Sequence, residues 1–110
     1  MIVHVVLIQP KAAIERTAID AAVADLQTAS REIPSIRRLR VGERVRHGLP
    51  GYEQSMTADF AYVALIEFDD RRGLQEYLRH PTHDALSRHF ATLGERTLAY
   101  DYEISDVFNA

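Results

Sequence analysis

Two stretches of the chain, IVHVVLI at residues 2–8 and FAYVALIEF at residues 60–68, are apolar almost without interruption. A half-buried strand alternates apolar and polar residues, so a β-branched run with almost no polar side needs cover on both faces. Each run is followed by a segment of helical period. Between residues 12 and 33, Ile19, Ala22, Val23, Leu26, Ala29 and Ile33 recur at three- and four-residue spacing, with Glu15, Asp20, Asp25 and Arg31 between them. Pro34 predicts the end of that helix, because proline disfavours the helical conformation at Ile33. After residue 68, Asp69 or Asp70 caps a second apolar stripe that runs from Leu74 through Tyr77, Leu78, Leu86 and Phe90 to Leu93 and is interrupted at Pro81.

The remaining segments complete the order. SIRRLRVGERVRHG, residues 35–48, alternates loosely, with Leu39 and Val41 on one face and Arg38 and Arg40 on the other, and reads as a half-exposed edge strand. Residues 48–59, GLPGYEQSMTAD, read as a loop. LAYDYEISDVF, residues 98–108, reads as a closing strand. The order β-α-β-β-α-β is that of a ferredoxin-like α+β sandwich, in which both helices cover one face of a four-stranded antiparallel sheet and strands one and three are central. Residues 1–110 are long enough for one core and not for two, so a single domain is expected, burying roughly 65% of its unfolded surface. The helices leave the second sheet face bare, although the central strands are apolar on both sides. Sheet-against-sheet pairing of two copies, a homodimer, is the simplest way to cover it.

Composition excludes several function classes. The absence of cysteine removes a disulfide framework, a Cys-ligated zinc site and a thiol nucleophile. The formal net charge of −3 gives no global support for a nucleic-acid partner, although six arginines fall between Arg31 and Arg46. The opening MIVHVVLIQP has no basic lead and is shorter than the roughly 20 apolar residues of a membrane span, so no membrane partner and a cytoplasmic location are expected. No glycine-rich phosphate loop or dinucleotide fingerprint is present. Arg37, Arg38, Arg40, Arg44 and Arg46 either line the mouth of a site for a carboxylate or thioester, or form a solvated edge that discourages aggregation; the second reading is favoured.

The residues that carry chemistry concentrate in YLRHPTHDALSRHF, residues 77–90, which holds three of the five histidines. Pro81 either kinks the helix or begins a new one at its first position, with His80 flanking it. His83 and His89, six residues apart, do not share a helix face squarely, so a metal chelate is not expected. Taken alone, Tyr77 reads as a core aromatic, His80 as a helix-boundary residue, and His4 as a core histidine on the face of Ile2, Val6 and Ile8. If that face is the helix-covered one, His4 meets Tyr77 and His83 across the layer in one polar cluster.

HVVLI, IPSI, VG, YLRHPTH and YDYEI, spread over nearly the whole chain, together resemble the stress-responsive dimeric α/β-barrel (Dabb) family. The tyrosine, two-residue gap, His-Pro-x-His run is the most specific match. The resemblance implies a ferredoxin-like monomer that pairs through its sheets into a barrel. It is similar in particular to the family's plant olivetolic acid cyclase, which closes a polyketide by aldol condensation without metal or organic cofactor. That likeness implies His83 and Tyr77 as catalytic residues, with His83 as base and Tyr77 as donor to a developing enolate oxygen. It implies His4 as a substrate-binding residue, and Tyr62 stands where the cyclase has a further pocket histidine; His80, in the same run, is a further substrate-binding candidate. Two readings follow: a cofactor-independent lyase or cyclase acting on a small carbonyl compound, or a non-catalytic dimer that binds a small apolar ligand or serves stress tolerance. A cofactor-free or haem-degrading monooxygenase has only fold-level analogy behind it.

Overall fold

The computed structural model, which describes residues 1–107, follows the expected order with one helix split in two. The elements are β1 (Ile2–Pro10), α1 (Arg16–Glu32), β2 (Arg38–Glu43), β3 (Tyr62–Phe68), α2 (Arg71–Arg79), α3 (Pro81–Leu93) and β4 (Gly94–Glu103), with a short 3-10 turn at Glu53–Ser55. The strands form one antiparallel sheet in the order β2-β3-β1-β4. The two most apolar runs therefore occupy the centre, where both faces and both edges are covered by protein or available to be covered. The α+β ferredoxin-like architecture is as the sequence predicts.

Boundaries differ where pairing or turns override local pattern. The first helix begins at Arg16 rather than Ala12, because Lys11 N–H donates to Leu93 O and Ile14 N–H to Lys11 O, so residues 11–14 form a turn. The last strand begins at Gly94, ahead of Leu98, since the length of β1 dictates its partner: Ile2 opposes Glu103 and Pro10 opposes Gly94. The part of the expected strand at Phe108 lies outside the described residues. Pro81 occupies the first turn of α3, where its missing N–H costs nothing, and His80 ends α2 and caps α3. At the other end of α2, Asp70 caps as expected, its carboxylate accepting from Gly73 N–H at 2.9 Å.

One face of the sheet carries the core. Phe68, Ile66 and Ile33 are its largest fully enclosed side chains, joined by Leu26, Ala29 and Leu74 from the helices. Truncating Ile66 or Ile33 to alanine would cost about 2–5 kcal/mol, the transfer loss plus the cavity left behind. On the opposite face Val5 pairs with Leu65 and Tyr100, and Leu7 with Val63 and Leu98. Tyr100 and Tyr102 stand more than half exposed there. Among the described residues no helix is long and apolar enough to cross a membrane.

Candidate functional site

His4 lies on the helix-covered side of β1, opposite Ile66 on β3 and Asp101 on β4. Only 5% of it is exposed. A buried imidazole needs a partner, and Asp101 supplies one: the two side chains meet at 2.6 Å between Nδ1 and Oδ1. With the Nδ1 proton donated to Asp101, Nε2 is the ring nitrogen left for other hydrogen bonds. Asp101 keeps 38% of its side chain exposed, so the pair bridges core and water.

Above the sheet, the last turn of α2 delivers Tyr77 and the first turn of α3 delivers His83. The break at Pro81 turns the chain between them, so residues six apart converge. Tyr77 is 2% exposed, with its ring edge-on to His83 at 4.6 Å between centroids and to His4 at 5.5 Å. Phe68 supports it from below at 5.3 Å. Burial, with Asp101 adding to it, pushes the Tyr77 phenol well above its usual range, so it remains a protonated donor. Burial and the neighbouring His4 hold His83 below the usual histidine value, against smaller opposite pulls from the Leu78 backbone and Asp84. His83 is therefore neutral at pH 7. Its Nδ1 is enclosed with no hydrogen-bond partner. Native interiors rarely leave such an atom unpaired, and a functional site is a common reason when they do.

His4, Tyr77 and His83 share the wall of a cavity of about 320 Å³ between α2, α3 and the sheet, otherwise lined mainly by aliphatic side chains and Phe90. That volume is at the small end for ligand sites. Proton acceptor, proton donor and a carboxylate-anchored imidazole on one apolar void are the parts required for proton transfer next to a carbonyl.

The other expected site residues lie elsewhere. His80 does not line this cavity; its Nδ1 accepts from Thr82 N–H at 3.1 Å and closes the N-terminus of α3. Tyr62 lines a separate cavity of about 230 Å³ under α1, divided from the first by Leu26, Ala64 and Phe90. The edge arginines are engaged with carboxylates, in keeping with the solvated-edge reading. Arg37 pairs with Asp69 at 2.7 Å, Arg40 with Glu67 at 3.3 Å, and Arg44 and Arg46 with Asp59. The Arg44 hydrogen bond, with Arg46 and Arg96 nearby, holds the Asp59 carboxyl below its usual range. No group of three or more His, Cys, Asp or Glu gathers as a metal-ligand set among the described residues. Sequence reasoning missed Asp101. Its signal was a charge between Tyr100 and Tyr102 in an aromatic strand, but only the β1–β4 register joins it to His4.

Sheet, helix cover and the cavity lined by His4, Tyr77 and His83 together define a ferredoxin-like α+β protein with a polar cluster set in an apolar cleft. Residues 2–104 match the Stress responsive A/B Barrel Domain, and the chain belongs to that Dabb family. No curated protein matches the sequence. Among solved structures it is similar to At3g17210 from Arabidopsis thaliana, at 18% identity and a TM-score of 0.84, over 99% of this chain and 100% of that one. The hydroxynitrile lyase from Passiflora edulis superposes with a TM-score of 0.81 at 18% identity, over 98% and 96% of the two chains. A dimeric ferredoxin-like protein of unknown function from Jannaschia sp. CCS1 is 25% identical, with a TM-score of 0.74 over 94% and 98%.

Proposed function

We propose that the protein is a homodimeric, cofactor-independent lyase or cyclase that makes or breaks a carbon–carbon bond next to the carbonyl of a small compound. The observation that carries this reading is the convergence of His4, Tyr77 and His83 on one cavity, with the basic residue neutral and the phenol protonated. In the condensing direction, His83 takes a proton from the carbon beside the carbonyl. The electron pair moves to the carbonyl oxygen, and the Tyr77 hydroxyl donates to the enolate that forms. The enolate carbon then bonds to a second carbonyl carbon, and the alkoxide so created recovers the proton from His83. Asp101 orients His4 through Nδ1, and His4 with a second proton on Nε2 donates that N–H to the second oxygen. Cleavage is the same path reversed. The aldol chemistry of olivetolic acid cyclase and the lyase activity named for the Passiflora protein of the same fold are consistent with this proposal.

The dimer is part of the same reading. Val3, Val5, Leu7, Val63 and Leu65 form a bare apolar face, and relatives of this fold are described as dimeric. The activity test uses 4-phenylbutan-2-one in D2O, with exchange of the protons beside its carbonyl followed by NMR. The wild-type protein is expected to accelerate exchange, and His83→Ala and Tyr77→Phe are each expected to lose about 100-fold. Equal exchange by wild type and both variants would refute the assignment; binding without any exchange would favour the non-catalytic ligand-binding alternative.

A further inference from the structure

We infer that the His4–Tyr77–His83 cavity selects uncharged carbonyl compounds and rejects their carboxylate counterparts. The location of the site rests on the proposed function above; the selectivity rests on the charge of its wall. None of the thirteen lysine and arginine side chains lines the cavity. Arg37, Arg38, Arg40, Arg44 and Arg46, which on sequence alone were candidates to receive an anionic substrate, face carboxylates of their own away from it.

Inside the cavity the only source of positive charge is imidazole. His4 is already matched by Asp101, so that pair contributes a net charge of zero when His4 is protonated and a negative one when it is not. His83 resists protonation through its burial and the nearness of His4. A carboxylate entering here would lose hydration and gain no ion pair, and it would face Asp101 behind His4. A ketone or aldehyde oxygen suffers no such penalty. It needs one donor, and Tyr77 is that donor. The hydroxyl-bearing Ser87 and Thr97 on the same wall offer neutral hydrogen bonds to a second uncharged polar group.

The test compares two ligands of nearly equal shape, 4-phenylbutan-2-one and 3-phenylpropanoate, titrated into the protein at pH 7.5 by calorimetry. The ketone is expected to saturate one site per chain, and the carboxylate to bind at least about 30-fold more weakly. Ala99→Arg places a guanidinium at the exposed β4 side of the cavity and should narrow that ratio at least about tenfold. Thr97→Arg provides the same charge if the first variant does not fold. Equal or tighter binding of the carboxylate by the wild type overturns the inference, as does failure of the ketone to saturate. Selective ketone binding without deuterium exchange would contradict the proton-transfer reading and leave the selectivity standing; exchange with a preferred carboxylate would do the reverse.

Discussion

At the scale of single residues, His83 Nδ1 stands out among the described residues as a buried polar atom with no hydrogen-bond partner. An enclosed imidazole nitrogen without a partner lowers stability, by about 1–3 kcal/mol in comparable settings. Replacing His83 with leucine is therefore expected to leave the melting temperature unchanged or raised in thermal unfolding, while proton-exchange activity falls. A merely structural histidine would give the opposite pattern. Its titration provides a second check. Because the folded-state pKa lies below the ordinary 6.5, the unfolded chain takes up the proton first as pH falls. The His83 contribution to stability is thus complete above pH 6.5 and declines below it until the folded-state value is passed. NMR of the His83 ring should place its midpoint below 6.5, and a midpoint above that value would contradict the burial account. His4 was legible in the sequence because alternation along β1 fixes the face it shares with Ile2 and Ile8. Asp101 was not, since a partner 97 residues away is set by strand register, which one sequence does not reveal.

At the scale of elements, the helix break at residues 80–81 is what brings Tyr77 and His83 together. Proline and the histidine before it made that break legible, and His80 proves to hold it by capping α3. His80→Ala should cost about 1 kcal/mol in urea unfolding, the usual loss for a helix cap; no change would show that the cap bond is dispensable. The junction from α3 into β4 has a different constraint. A Cβ on Gly94 would lie 2.6 Å from Thr97 Oγ1 and 3.1 Å from the Phe90 carbonyl oxygen, so the limit is space and not backbone angle. Gly94→Ala is expected to destabilise by about 1–3 kcal/mol, the range for overpacked sites, as read from the denaturation midpoint. Strand ends were poorly legible because they depend on the neighbour: β4 begins where β1 stops, and nothing in residues 94–97 alone announces a strand.

At the scale of the whole molecule, the order of elements and the central position of β1 and β3 followed from apolar runs that need cover on both faces. The helices cover one face and leave Leu98, Tyr100 and Tyr102 standing beside Val5 and Leu7 on the other. Sedimentation at low micromolar concentration should find a dimer, and Leu98→Glu combined with Tyr100→Glu should shift it to monomer; a wild-type monomer would refute sheet-to-sheet pairing. The cavities under α1 and α3 were not legible, because both arise from how these helices sit over Leu26, Ala64 and Phe90. Which cavity takes a small carbonyl compound is the point on which the proposed function depends. A crystal structure of the protein soaked with 4-phenylbutan-2-one measures it directly. The ketone oxygen is expected within hydrogen-bond reach of the Tyr77 hydroxyl and the adjacent carbon facing His83; a ketone seated under α1 against Tyr62, with the His4–Tyr77–His83 cavity filled by water alone, would contradict the proposed function.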